Sequence, residues 1–247
     1  MINWLIQSIT AHPNLTQGLA PAGLLSPSEQ QRLAAFTVAK RRGDWLLGRW
    51  TAKRLLQSYV AQCTDAWLPL DTFIIDSDSD GAPHVIVDCK LQISDFPSNL
   101  QSAICNLQSL MLSISHCDGH AFCALADRSR LAIGADIERI APRAPEFAAD
   151  YFTSNELAQV AASPANERDA TVTLIWSAKE AALKALRLGL TVDTRRVSIG
   201  LSEHHSATLA WAPLVVRSTL PRAEAVGGLH GWWRIVGEYA LTLALSG

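Results

Sequence analysis

The sequence predicts a mixed α/β (α+β) fold, on three observations. Short apolar or alternating stretches of strand length interchange with two long stretches of helical period, Trp45 to Val60 and about Ala170 to Leu188. Four more strand-like stretches follow the second helix, which calls for an antiparallel sheet. Hydrophobic residues make up 49% of the 247 and charged residues 18%, enough apolar side chain for one large core or two of modest size.

Taken in order, Ile2 to Ile9 is apolar enough for a first strand. Ser26-Pro27-Ser28-Glu29 has the form of a helix start, with a capping hydroxyl, proline at the first position and an acid in the first turn. Arg32, Leu33 and Phe36 follow on that helix. Lys40-Arg41-Arg42-Gly43-Asp44 leads into the first long helix, where Leu46, Leu47, Trp50, Leu55 and Leu56 form the apolar side. Arg49 and Lys53 share another face of it. Phe73-Ile74-Ile75 reads as a short strand and Asp76 to Pro83 as a turn. Residues Asp88 to Leu110 show no clear period and read as a connection with at most a short helix.

Leu112 to Asp127 holds Ser113-Ile114-Ser115-His116 and then an apolar strand, Ala121 to Ala126. Ile133 to Glu138 alternates as a half-buried strand does, and Ala141 to Pro145 breaks regular structure. Thr153 is a candidate cap, with Glu156 in the capping-box position. Ala161 to Asp169 is a loop, and Gly189 stops the second long helix. Val197 to Leu201, Ala207 to Trp211, Trp232 to Val236 and Tyr239 to Leu245 are the expected strands of the antiparallel sheet, with Pro213 to Gly228 as a flexible excursion.

Composition excludes several classes of function. A net charge of −2 gives no global attraction to nucleic acid, so an anion site has to be a local basic cluster. Cys63, Cys89, Cys105, Cys117 and Cys123 are odd in number and lack C-x-x-C spacing, so reduced, mostly buried thiols are expected rather than a disulfide framework or a zinc site. Met1 to Thr10 lacks the basic segment of a signal peptide, and no stretch reaches the roughly 18 apolar residues of a membrane span. A cytoplasmic protein without membrane or nucleic-acid partners is expected.

The chemistry concentrates between Ile133 and Lys184. Ile133, Ala135 and Ile137 take one face of their strand, so Asp136 and Glu138 project together from the other. Ser177, Glu180 and Lys184 lie three and four residues apart on one helical stripe. If that stripe faces the strand, three carboxylates and a lysine converge, a donor set for a hard cation such as Mg²⁺ beside a phosphate. Blander readings compete: a solvated strand face for Asp136 and Glu138, and a surface i,i+4 pair for Glu180 and Lys184. Arg41 and Arg49 are likewise either a solvated helix surface or a phosphate cluster, since arginine offers phosphate a planar fork of donors. His116, a lone histidine beside a strand, is more often a satisfied structural group than a catalyst.

These residues carry a resemblance. G-x-D-x-E at Gly134, Asp136 and Glu138, followed by W-S-x-K-E-x-x-x-K at Trp176, Ser177, Lys179, Glu180 and Lys184, resembles the paired signatures of the Sfp-type 4′-phosphopantetheinyl transferases. Lys40-Arg41-Arg42-Gly43-Asp44-Trp45-Leu46-Leu47-Gly48-Arg49 is similar to their coenzyme A-contacting segment, and Ser113-Ile114-Ser115-His116 to their N-[IV]-S-H. Three positions depart from the pattern: Ser113 replaces Asn, Ala82 replaces the lysine of G-K-P, and Asp150 replaces the Arg of R-F-F-x-x-x-E.

The resemblance implies two similar α/β halves related by a pseudo-twofold axis, with the active site at their junction. Residues 1–129 would form the coenzyme A-binding half and 130–247 the half with the metal and catalytic residues. A short internal repeat agrees with this, Trp50-Thr51-Ala52-Lys53 against Trp176-Ser177-Ala178-Lys179, with Arg54 where Glu180 stands in the second copy. The implied activity moves the phosphopantetheine arm of coenzyme A to a serine of an apo acyl or peptidyl carrier protein, releasing 3′,5′-ADP. Such carriers serve fatty acid, polyketide and nonribosomal peptide synthesis. By the same resemblance Asp136, Glu138 and Glu180 hold Mg²⁺ (or Mn²⁺), and Glu180 or a water on the metal accepts the serine proton. Lys184 contacts the pyrophosphate and offsets its charge. Arg32, Arg41, Arg49, Ser115 and His116 meet the phosphates of coenzyme A, and a monomer is expected. From the carboxylates alone a metal-dependent phosphohydrolase is equally permitted, and a non-catalytic coenzyme A- or carrier-binding protein is the third reading.

Overall fold

The computed structural model describes residues 2–87, 98–107, 109–127, 132–201 and 210–246. The chain divides into two compact units, Met1–Arg128 and Ser129–Gly247. Both mix α and β and build their sheets from antiparallel strands.

The first unit runs β1 (Asn3–Ser8), α1 (Pro13–Thr16), α2 (Pro27–Ala34), α3 (Ala39–Thr64), β2 (Phe73–Ser77), β3 (Pro83–Val87), α4 (Ser98–Leu107), β4 (Leu110–Cys117) and β5 (His120–Asp127). One sheet has the order β1-β5-β4, and β2-β3 is a separate hairpin. The helix α3 lies across the three-stranded sheet, burying Ala52, Leu55, Leu56 and Val60 with Phe73, Leu112 and Leu125. It begins at Ala39, earlier than the sequence suggests, and a Lys40–Asp44 pair at 3.0 Å spans its first turns at the i,i+4 spacing. Phe73 to Ile75 continues to Ser77, and the turn after it opens into a strand the sequence reading lacks. The connection expected over Asp88 to Leu110 contains a ten-residue helix, while 88–97 and 108 lie outside the described residues.

The second unit runs β6 (Ile133–Arg139), α5 (Pro145–Tyr151), α6 (Ser154–Ala162), α7 (Arg168–Ala185), β7 (Val197–Leu201), β8 (Ala212–Ser218), α8 (Pro221–Ala225), β9 (Leu229–Val236) and β10 (Tyr239–Ser246). Its sheet has the order β6-β10-β9-β8-β7, with α7 packed on β6 and β10. Leu174, Ala178, Ala182, Trp233, Ala240 and Ala244 lie in the core between them.

Four expectations need correction. Pro145 starts a helix at its first position, where proline has no hydrogen bond to lose. The segment read as a flexible excursion, Pro213 to Gly228, holds β8 and α8, whereas Ala210 and Trp211 are not strand and 207–209 lie outside the described residues. The helix α7 ends before Gly189: Arg187 takes the left-handed conformation at φ 56°. Its N–H donates to Lys184 O at 2.9 Å and Leu188 N–H to Leu183 O at 3.0 Å, the Schellman pattern. Finally, of the four described cysteines only Cys123 is buried; Cys63 and Cys105 are exposed, and all four are free thiols.

The internal repeat extends well beyond four residues. In the first unit Ser26 and Glu29 form a capping box, and Glu29, 3% exposed, also accepts from Ile75 N–H and from the buried Lys53 ammonium. In the second unit Thr153 and Glu156 form the same box, and Glu156 accepts from Ile199 N–H at 2.7 Å and from Lys179 at 2.9 Å, both side chains fully buried. Each clamp ties a short helix, a long helix and a strand of its own unit around one buried ion pair. The two lysines also cap backbone oxygens, Leu24 O for Lys53 and Thr194 O and Val197 O for Lys179.

Candidate active site

The site in the second unit begins with an absent side chain. A Cβ at Gly134 would overlap the Ala181 carbonyl oxygen and stand 2.7 Å from Ala185 N. Glycine is therefore required for α7 to lie directly on β6, and that approach decides where the polar groups of α7 go. Ser177 bonds Thr242 on β10 at 2.8 Å, both hydroxyls buried, so the upper part of the stripe is pinned to the sheet. Glu180 and Lys184 then fall beside β6.

On β6 the alternation places Asp136 and Glu138 on one face, and Asp136 is 1% exposed. One carboxylate oxygen from each of Asp136, Glu138 and Glu180 lies within 4.8 Å of the other two. Lys184 Nζ is 2.6 Å from Asp136 Oδ1 and 3.3 Å from the Ala135 carbonyl oxygen, so its ion pair is with Asp136 on the strand. Arg143, in the link between β6 and α5, places Nη2 2.6 Å from Glu138 Oε2. The sequence reading has no role for Arg143; its one signal is a cation five residues past Glu138 in a segment that doubles back.

Crowding shows in the proton affinities. Burial first, and then the neighbouring Asp136, push the Glu180 carboxyl up to about 7, with Lys184 opposing. Burial and Asp136 also raise Glu138, with Arg143 opposing. Three hard oxygen donors at this separation, two of them reluctant to ionise without a counter-charge, are the donor chemistry of a Mg²⁺ or Mn²⁺ site. Lys179, inside the same sequence motif, belongs to the Glu156 clamp.

Residues 132–244 match the family described as the 4′-phosphopantetheinyl transferase superfamily. The match covers β6 through most of β10, including all three carboxylates and Lys184. The chain is 28% identical over 199 residues to the 4′-phosphopantetheinyl transferase psf-1 of Bacillus pumilus, covering 77% of this chain and 72% of that one. Among solved structures it is similar to the holo-[acyl-carrier-protein] synthase of Thermotoga maritima, at 17% identity and a TM-score of 0.38, over 47% of this chain and 63% of that one. It is also similar to the Helicobacter pylori synthase solved with coenzyme A, at 16% identity and a TM-score of 0.37, over 47% of this chain and 99% of the other.

The basic candidates of the first unit are dispersed in character. Arg32 is exposed and 3.4 Å from Asp76. Arg41 is exposed at the start of α3, and His116 on β4 has Nδ1 4.0 Å from Asp44 Oδ2. Ser115, the neighbour of His116, is 7% exposed. Arg49 is 6% exposed, with its guanidinium 4.7 Å over the Trp45 ring and Nε 3.7 Å from Glu29. Burial lowers Arg49 to about 10, against the pull of Glu29. Arg32, Arg41 and His116 are thus the more accessible cations, and Arg49 adjoins the Glu29–Lys53 clamp.

Proposed function

We propose that the protein transfers the 4′-phosphopantetheine arm of coenzyme A to a serine hydroxyl of an apo acyl or peptidyl carrier protein, releasing 3′,5′-ADP, as a cytoplasmic monomer of the Sfp type. The observation that carries the reading is the convergence of Asp136, Glu138 and Glu180 with Lys184 beside them, inside the region that matches the superfamily. The serine oxygen attacks the phosphorus that bears the pantetheine arm, in line with the bond to the departing 3′,5′-ADP oxygen. Such a reaction asks mainly for positioning and charge neutralisation.

Asp136, Glu138 and Glu180 would hold Mg²⁺ or Mn²⁺, which when bound neutralises and orients the pyrophosphate oxygens. Glu180, or a water held at the site, takes the serine proton as general base. Lys184 offsets the negative charge that builds on the leaving oxygens. Arg32, Arg41, Arg49, Ser115 and His116 hold the phosphates of the nucleotide, Arg32, Arg41 and His116 being the exposed ones.

The test is intact-mass spectrometry of an apo-carrier protein incubated with coenzyme A, Mg²⁺ and the enzyme. A gain of one phosphopantetheine, lost with Asp136→Ala, is expected. Hydrolysis of the pyrophosphate without modification of the carrier would support the phosphohydrolase reading instead.

A further inference from the structure

Arg143 has no part in the chemistry above, yet it holds one of the carboxylates that chemistry needs. Its Nη2–Glu138 Oε2 distance of 2.6 Å is that of a charge-assisted hydrogen bond. The stem is seated as well: the guanidinium carbon lies 5.1 Å over the Phe147 ring. Phe147 in turn meets Trp176 of α7 edge-on at 5.0 Å and 70°, and Tyr151 at 5.1 Å. Arg143 Nε is buried and, among the described residues, has no hydrogen-bond partner. The fork is therefore held in place by aromatic packing and committed to Glu138 at one end only.

Charge arithmetic gives this arrangement a consequence. Three ionised carboxylates against Lys184 and Arg143 leave one net negative charge in the cluster, and a divalent cation would turn that into one net positive charge. The excess falls on whichever cation is easier to release. Lys184 has a second acceptor, the Ala135 carbonyl, and its partner Asp136 is 1% exposed; Arg143 engages a Glu138 side chain that is 21% exposed. A guanidinium on one oxygen of a carboxylate draws negative charge from the other as well, so Glu138 attracts a metal ion less while Arg143 holds it.

We propose that Arg143 is a resident counter-ion: it competes with the metal for the negative charge of Glu138, and so weakens the site's hold on Mg²⁺ or Mn²⁺. The inference rests on the metal reading of Asp136, Glu138 and Glu180 given above. It assigns Arg143 to the setting of metal affinity, apart from any contact with the reacting atoms.

The experiment is calorimetric titration of the full chain with Mn²⁺ and with Mg²⁺ at pH 8, without coenzyme A, for wild type, Arg143→Met and Arg143→Lys. Arg143→Met is expected to bind the cation roughly fivefold more tightly, the worth of a partly exposed ion pair, and Arg143→Lys to fall between the two. Melting in EDTA and in saturating Mg²⁺ supplies the second readout, with a larger metal-induced rise in Arg143→Met than in wild type. If Arg143→Met does not fold, Arg143→Lys alone decides, since lysine keeps the charge but loses the fork. Unchanged or weaker cation binding in the folded variants, with wild type binding normally, would overturn this inference and leave the transferase reading standing. Wild type that binds neither cation would overturn the metal reading and this inference with it.

Discussion

Lys179 and Lys184 belong to one motif but sit in different surroundings. Lys179 is fully buried, with Glu156 at 2.9 Å and two backbone oxygens as its acceptors. Removing one partner of a buried pair costs on the order of 3–5 kcal/mol, because the other charge stays behind. Glu156 would keep the N–H of Thr153 and Ile199 and the Thr153 hydroxyl, which sets Lys179→Met near the lower end. A loss of about 3 kcal/mol moves a urea midpoint by on the order of 1 M. Lys184→Met should instead lose roughly 10²- to 10³-fold in kcat, the scale of a lost electrostatic stabiliser. Without metal it should also lose stability, because the buried Asp136 forfeits its counter-charge, and saturating Mg²⁺ should restore most of that. The assay pairs urea unfolding with carrier modification at saturating Mg²⁺ and coenzyme A. Lys179→Met within about 1 kcal/mol of wild type, or a folded Lys184→Met with near-normal kcat, would refute the assignment concerned.

Metal binding should release protons. Glu180 titrates near 7 against an ordinary 4.5, so its contribution to metal-free stability is present at low pH and lost as pH rises from about 4.5 to 7. Titrations with Mn²⁺ in buffers of different ionisation enthalpy should show about one proton released per ion at pH 6 and almost none at pH 8.5; equal release at both would remove Glu180 from the ligand set. Gly134→Ala should cost on the order of 3 kcal/mol or more and weaken metal binding, since the added carbon forces α7 off β6. Its control is Gly43→Ala in α3, where the Cβ meets nothing within 4 Å and should stabilise by about 0.5–1 kcal/mol; the same sign for both, read from thermal unfolding, would contradict the packing argument. Arg41→Ala should raise KM for coenzyme A and affect 3′-dephospho-coenzyme A less; equal loss on both substrates would take Arg41 off the 3′-phosphate.

That Asp136 shares a face with Glu138, and Glu180 with Lys184, was legible because two local periodicities, two for the strand and 3.6 for the helix, fix which side chains lie together; that the two faces meet was an expectation carried by the resemblance. The capping boxes at Ser26 and Thr153 were legible for the same reason, since they span only three residues. What periodicity cannot supply is the partner across the fold. Arg49 reads as a surface cation from its helical position and lies 6% exposed between Trp45 and Glu29. Glu156 reads as a helix cap and is also one end of an ion pair to Lys179. Pro213 pointed to a loop; in β8 it pairs with Trp232 of β9, while the described pairing with β7 starts only at Leu214. Proline is tolerated where no neighbour asks for its missing N–H. Arg143 escaped notice because its contacts with Glu138 and Phe147 depend on the turn between β6 and α5.

Counting each unit from its final hairpin turn aligns Cys117 and His120 with Val236 and Tyr239, and β1 with β6. Leu5 and Gln7 then occupy the places of Asp136 and Glu138, as Arg54 does that of Glu180, while Glu29 and Lys53 still match Glu156 and Lys179. The chain thus carries its scaffold twice and its carboxylates once, which separates two kinds of substitution: those that break a buried clamp and those that only change what a scaffold displays. Anyone wishing to build a second metal centre would graft carboxylates onto positions 5, 7 and 54 and would meet a further obstacle at Asn3, the counterpart of Gly134. Asn3 carries a Cβ at the position where the other copy has none. The removal of one carbon atom is as much a part of this site's geometry as the three acids beside it.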